Sequence, residues 1–256
     1  MQGSDATRWG ENFAAARAAA VAAGFERFEH VPETGSTNAD LVGEARSGDT
    51  SSVVRVADHQ TAGRGRLDRR WDDEPGRQLL VSFRLPAGSD PATVPGAVAV
   101  AAHEAVAELD VPVGIKWPND LVVERGRAPG KLAGMLSEYV GSDPPVVVVG
   151  LGLNVGSAPA DGATSLAANG VDVGADALLA GVLDALEALL GDPDGVRRET
   201  ERRSATIGTR VRVERHGDDL VGTAVGIDAD GRLEVEVDGV RHVVAVGDVV
   251  HLRPAH

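Results

Sequence analysis

Cysteine is absent from the 256 residues. That excludes disulfides, thiolate metal sites and a cysteine nucleophile, and it fits a reducing compartment. No stretch reaches the eighteen or more uncharged apolar residues of a membrane span, and Met1 to Gly10 lacks the basic start and apolar run of a signal peptide. A soluble, cytoplasmic protein is the expectation. Positive charge is scarce too: 39 acidic residues against 25 basic ones leave a net charge of -14. Such a balance argues against non-specific binding to nucleic acid, and any anionic ligand must be held by a local basic cluster. Aromatics make up 3% of the chain, too few for the stacking platforms that a single strand requires. Lysine is the most telling shortage, because only Lys116 and Lys131 occur among the basic residues and all the others are arginine. Arginine is a planar fork and lysine a compact point charge, so a site that needs the ammonium cannot accept the guanidinium. The two lysines fall close together, and chance is the competing explanation.

What is present is apolar enough, at 43%, for one good-sized core or for a larger and a smaller domain. An Ala-rich helix from Glu11 to Ala23, stopped by Gly24, reads as a docked or frayed extension. It leaves no room for a helix-turn-helix before the strand-like Arg27 to Val31. Strands follow at Val53–Ala57 and through Leu79, Val81, Phe83 and Leu85, which alternate with Leu80, Ser82 and Arg84. Val98 to Leu109 has helical spacing, with His103, Glu104 and Glu108 opposite the apolar stripe. Leu121–Glu124 and Leu132–Val140 flank a polar connection and suggest a hairpin with a long tip. Val146–Val149 reads as a buried strand and Ala177–Leu190 as a second helix. After Thr206 come five strand patterns about ten residues apart, separated by Asp- and Gly-rich turns, which predict a small β-barrel. These patterns divide the chain into an extension (1–26), a mixed domain (27–204) and a C-terminal domain (205–256).

Chemistry concentrates in five places. The segment Gln60-Thr61-Ala62-Gly63-Arg64-Gly65-Arg66 follows a strand, and its glycines are expected to leave backbone N–H groups bare for an anion that the guanidiniums clamp. It is neither a dinucleotide fingerprint nor a Walker loop, since a third glycine opening a helix and a Gly-Lys-Ser/Thr are both missing. Gly35-Ser36-Thr37-Asn38 offers two hydroxyls and an amide at a helix start, where a plain N-cap with Asp40 in the first turn is the simpler explanation. Lys116-Trp117-Pro118-Asn119-Asp120 gathers a cation, an aromatic face, an amide and a carboxylate. Lys131 opens a strand in Gly130-Lys131-Leu132-Ala133-Gly134. Gly150-Leu151-Gly152-Leu153-Asn154 ends a strand with small residues that permit close approach to a ligand.

In this order and spacing the five segments resemble the biotin protein ligase family, closely over Gly35 to Asn154 and in outline elsewhere. The resemblance implies an α+β fold, a mostly antiparallel mixed sheet backed by helices as in class II aminoacyl-tRNA synthetases, with an SH3-like C-terminal barrel. It implies a two-step reaction, in which biotin and MgATP give biotinoyl-AMP and a carrier-domain lysine then attacks the mixed anhydride. Carried over by residue, Ser36, Thr37, Asn38 and Gln60, with Gly63, Arg64, Gly65 and Arg66, correspond to the biotin-holding set. Lys131 corresponds to the cation between the biotin carboxylate and the α-phosphate, with Arg66 and Asp120 beside it in the reaction. Trp71, Lys116, Asn119, Asp120, Asn154 and Arg253, together with Arg64, Arg66 and Lys131, correspond to the nucleotide side, and magnesium would arrive with ATP near Asp120. The partners implied are biotin, ATP and the carrier domain of an acyl-CoA or pyruvate carboxylase, for a monomer or homodimer that binds no DNA and no membrane. Asp68 departs from the family, which commonly has glycine there. The N-terminal DNA-binding domain of bifunctional members is missing, so a ligase that does not repress transcription is expected. Lipoate or octanoate attachment is the rival enzyme reading. An RNA-binding protein using the Gly-Arg segment is the non-enzymatic one.

Overall fold

The computed structural model describes residues 13–67, 69–88, 90–214, 219–245 and 247–251. Seven strands form the larger sheet: β1 (Arg27–Thr34), β2 (Val53–Gln60), β3 (Gln78–Pro86), β4 (Val113–Lys116), β5 (Asp120–Val123), β6 (Gly130–Val140) and β7 (Val146–Asn154). Their order is β1-β2-β3-β7-β6-β5-β4. Only β1 and β2 run parallel, and every other pair is antiparallel. This is the mostly antiparallel mixed sheet that the resemblance implied.

One face carries α1 (Ala14–Ala22), α3 (Thr93–Ala107) and α4 (Ala175–Leu189), whose apolar residues merge with Val54, Val81, Phe83 and Val149 into the main core. Here α1 is docked against α4, because the Asp176 carboxylate receives its free Ala15 and Ala16 N–H groups at 3.2 and 2.8 Å, satisfying donors that a helix start leaves open. The expected polar side of α3 is itself partly buried: His103 donates to the Val113 carbonyl at 3.0 Å, and Glu104 pairs with Arg203. A further helix, α5 (Pro193–Arg202), packs on α3. Its sequence signal was the Asp192-Pro193 pair, a capping carboxylate (2.9 Å to the Gly195 N–H) before proline in the first turn.

On the other face α2 (Thr37–Arg46) covers the polar side of β3. Ser82 and Arg84, which alternation alone would turn to water, are both fully buried. Burying a guanidinium is costly unless it is paired and bonded. Arg84 accordingly donates to the Ser51 and Leu41 carbonyls (2.7 and 3.3 Å) and meets Glu44 and Asp49 at 3.3 and 3.0 Å. These bonds pin the C-terminal end of α2 and so set where its N-terminus points.

The C-terminal strands β8 (Arg210–Glu214), β9 (Leu220–Ile227), β10 (Leu233–Val237), β11 (Val240–Val244) and β12 (Asp248–His251) form an antiparallel sheet ordered β11-β10-β9-β8-β12. The strands match the expected spacing, but the barrel does not: β11 and β12 end the sheet unpaired with each other among the described residues. Strand spacing encodes the meander, whereas closure depends on long-range pairing that no local pattern specifies. No described helix is long and apolar enough to cross a membrane.

Candidate active site

The five motif segments converge on one cavity of about 400 Å³, on the α2 side of the larger sheet. Ser36 is the N-cap of α2, extended in backbone, with its hydroxyl 3.5 Å from the Ala39 N–H. The capping role is therefore real, and Ser36 lines the cavity as well. Behind it Thr37 gives both its N–H (2.8 Å) and its hydroxyl (3.1 Å) to Gln60 Oε1, and the same hydroxyl lies 2.8 Å from Ser82 Oγ. With Oε1 doubly occupied, Gln60 has its amide NH2 left for a ligand. Ser82 belongs to none of the motifs. It was hidden in the sequence because a serine in an alternating strand looks solvent-facing.

A second cluster surrounds Lys131, whose Nζ is 2.8 Å from Asp120 Oδ1 and 5.7 Å from the centre of the Trp71 ring. Trp71 lies flat across the sheet. A Cβ on Gly152 would come within 2.5 Å of its Cε2, and one on Gly134 within 3.0 Å of its Cζ3. The two glycines leave room for the indole. Arg66 reaches from the loop to donate to Asn119 Oδ1 at 3.3 Å, and Asn119 is fixed to the backbone of Met135 in both directions. Lys116 lines the same wall. Glu214, Val249 and Val250 of the second sheet complete it, a contribution that local sequence patterns did not indicate.

The Gly-Arg segment corrects one expectation. It is folded on itself: Gly65 N–H donates to the Arg69 carbonyl (2.8 Å), Trp71 N–H to the Gly63 carbonyl (3.0 Å), and Arg64 bridges Arg70. The Gly65 N–H is thus spent rather than bare, which leaves the guanidiniums and the ammonium as the charged groups facing the cavity. Gly63 does not line the cavity; it is buried beneath the loop, where a Cβ would lie 2.5 Å from the Trp71 carbonyl oxygen. The far end of the loop is anchored by Asp73, 2.8 Å from His59 Nδ1.

Asn154 is likewise away from the wall, buried beside the Lys131 carbonyl at 3.5 Å. Trp117 serves packing: it joins the core of the C-terminal sheet, donates from Nε1 to the Gly231 carbonyl (2.9 Å), and its N–H meets Thr206 Oγ1 (3.0 Å). Next to it, burial and then the charge of Lys116 push the His251 imidazole below its ordinary range, against the pull of Glu124. Asp68 and Arg253 lie outside the described residues.

Comparison with known proteins bears directly on this arrangement. Residues 34–154 match the Biotin/lipoate A/B protein ligase family, and residues 206–252 match the Biotin protein ligase C terminal domain. The biotin--[acetyl-CoA-carboxylase] ligase of Mycobacterium tuberculosis is 42% identical, over 90% of this chain and 91% of its own. The chain belongs to the biotin protein ligase family. As a biotin ligase it is also 30% identical to the bifunctional ligase/repressor BirA of Escherichia coli, over 82% of this chain and 69% of that one. Its fold matches the biotin protein ligase of Aquifex aeolicus, solved in complex with biotin and ATP, with a TM-score of 0.73 at 25% identity, over 90% of this chain and all of that one.

Proposed function

We propose that this ligase forms biotinoyl-AMP and pyrophosphate from biotin and ATP, and then passes the biotinoyl group to a lysine of a carboxylase carrier domain in the cytoplasm. The observation that carries the reading is the pairing, in one cavity, of a neutral polar cluster (Ser36, Thr37, Gln60, Ser82) with a cationic one (Lys131, Arg66, Lys116). A neutral bicycle with donors and acceptors on one edge needs fixed polar partners, and the helix start at Ser36 supplies them. The dithiolane of lipoate and the chain of octanoate have no use for such partners, which favours biotin.

The carboxylate of biotin and the α-phosphate of ATP repel each other. An ammonium between them removes that repulsion and stabilises the charge that develops as the carboxylate oxygen attacks phosphorus and pyrophosphate departs. Lys131 takes this part, after exchanging its ion pair with Asp120 for the substrates, and Arg66 and Arg64 gather the remaining phosphate charge. Magnesium prefers oxygen ligands, one or two carboxylates plus phosphates. Asp120 and the Asn119 amide oxygen fit that donor set, and the metal would neutralise the departing pyrophosphate. In the second step the amine of the acceptor lysine attacks the carboxyl carbon and AMP leaves with the bonding pair. The domain division at about residue 204 follows the same reading, with the chemistry in 27–204 and a wall supplied from 205–256. For the carrier, the outer edge of β6 from Leu136 to Val140 is a fitting dock, since β5 pairs only as far as Gly134.

The test is ATP–pyrophosphate exchange with biotin, lipoate and octanoate in turn. Exchange driven by biotin alone is expected; exchange driven by lipoate and not by biotin would overturn the assignment.

A further inference from the structure

Glu138, on β6, belongs to none of the motifs and does not line the cavity, yet it holds two residues that do. Its Oε2 receives Asn38 Nδ2 at 2.6 Å and Arg64 Nη1 at 3.3 Å. One of these donors stands in the first turn of α2 and the other on the Gly-Arg loop. A carboxylate can only accept hydrogen bonds. Asn38 must therefore turn its NH2 toward Glu138, which directs Oδ1 to the opposite side. There Oδ1 is buried without a hydrogen-bond partner among the described residues. It lies over Gly150, where an added Cβ would be 3.1 Å from it and 3.4 Å from Ser82 Oγ, and both Asn38 and Gly150 line the cavity. Gln60 has the reverse polarity, with its oxygen consumed by Thr37 and its NH2 left over. The pocket thus offers a donor from Gln60 and an acceptor from Asn38, the complement of a cyclic urea with its carbonyl and ring N–H groups.

We infer that Glu138 is a positioning residue that sets the polarity of this pocket, holding Asn38 Oδ1 toward a ring N–H of the ligand and Arg64 at the rim. The inference rests on the biotin reading above. A merely structural Glu138 would behave as partly exposed ion pairs usually do and contribute little.

The experiment compares equilibrium binding of biotin with that of a ring-N-methylated biotin, in the full chain and in Glu138→Gln, alongside the Michaelis constant for ATP. Wild type is expected to prefer biotin by at least about tenfold, the loss of one well-placed hydrogen bond. Glutamine can present either end of its amide, so the pin on Asn38 is released. Biotin should then bind about tenfold more weakly and the preference should shrink toward unity, while the Michaelis constant for ATP rises as Arg64 loses its hold. Asn38→Ala should give the same loss of preference, and adding Glu138→Gln to it should not lower that preference further. The inference is overturned if wild type does not discriminate, if both ligands weaken equally in Glu138→Gln, or if the two substitutions act additively on the preference. Those outcomes, in a wild type that activates biotin, leave the function standing. Failure of wild type to use biotin at all sinks the function and this inference with it.

Discussion

At the scale of single residues the sharpest consequence concerns Lys131. Its Nζ sits where a point charge meets Asp120 at 2.8 Å over the edge of an indole, and a planar guanidinium cannot occupy the same volume. Lys131→Arg is expected to lower biotin-dependent ATP–pyrophosphate exchange by about a hundredfold or more; exchange at the wild-type rate would show an ordinary edge lysine. A second consequence concerns pH. Burial, then the charge of Arg203, pushes the His103 imidazole from its ordinary 6.5 down to about 4, and His251 is depressed too. Both are neutral when folded, and the unfolded chain binds protons better below its own value. This contribution to stability is fully present above about pH 6.5 and is lost as pH falls toward about 4, by about 2 kcal/mol from His103 once the roughly 3 kcal/mol that the shift implies is reduced for its partial exposure. Denaturant midpoints measured from pH 7 to pH 4.5 should fall, and less so in His103→Gln. Individual roles were partly legible in the sequence. The two lysines stood out by scarcity, whereas Ser82 and Glu138 did not, because their importance arises from what lies across the sheet from them.

Elements follow the same division. Strands and helices with a single apolar period were readable: β3 and α4 formed where alternation or helical spacing placed them, whereas α3 starts earlier, at Thr93, and β7 runs on past Val149 to Asn154. What escaped were features fixed by contacts between elements. The buried guanidinium of Arg84 exists only because α2 covers β3. The Gly-Arg segment closes into a short ladder because Gly63 allows the Trp71 carbonyl to approach. The strand β7 makes this testable. Gly152 has no space for a methyl group beneath Trp71, and overpacking of this kind costs about 1–3 kcal/mol. In Gly152→Ala the indole must shift, and the Michaelis constant for ATP should rise about tenfold with a smaller change for biotin. Unchanged constants for both substrates would mean that Trp71 is no part of the nucleotide wall.

For the whole molecule, the notable feature is that the two sheets share a site. Trp117 carries the junction, rooted in one domain and packed in the core of the other. Removing so large a buried side chain costs about 3–5 kcal/mol. Trp117→Ala is expected to split a single calorimetric transition into two and to abolish adenylate formation more completely than biotin binding. One cooperative transition with full activity would refute a shared wall. The organisation into a mixed domain and a strand-rich one was visible in the sequence, but their contact was not, since Glu214, Val249 and Val250 carry no local sign of facing a cavity. The ion pair between Lys131 and Asp120 has a last consequence for the molecule as a whole. A ligase of this kind manufactures a reagent that acylates amines and keeps it in its own interior. Arginine does not compete for that reagent, and both of the chain's lysines line the cavity, where Lys131 is held by a carboxylate before the substrates arrive and by their charges afterwards. Away from the cavity the chain therefore offers that product no lysine at all, and the acceptor has no rival lysine on the rest of the protein that makes the label.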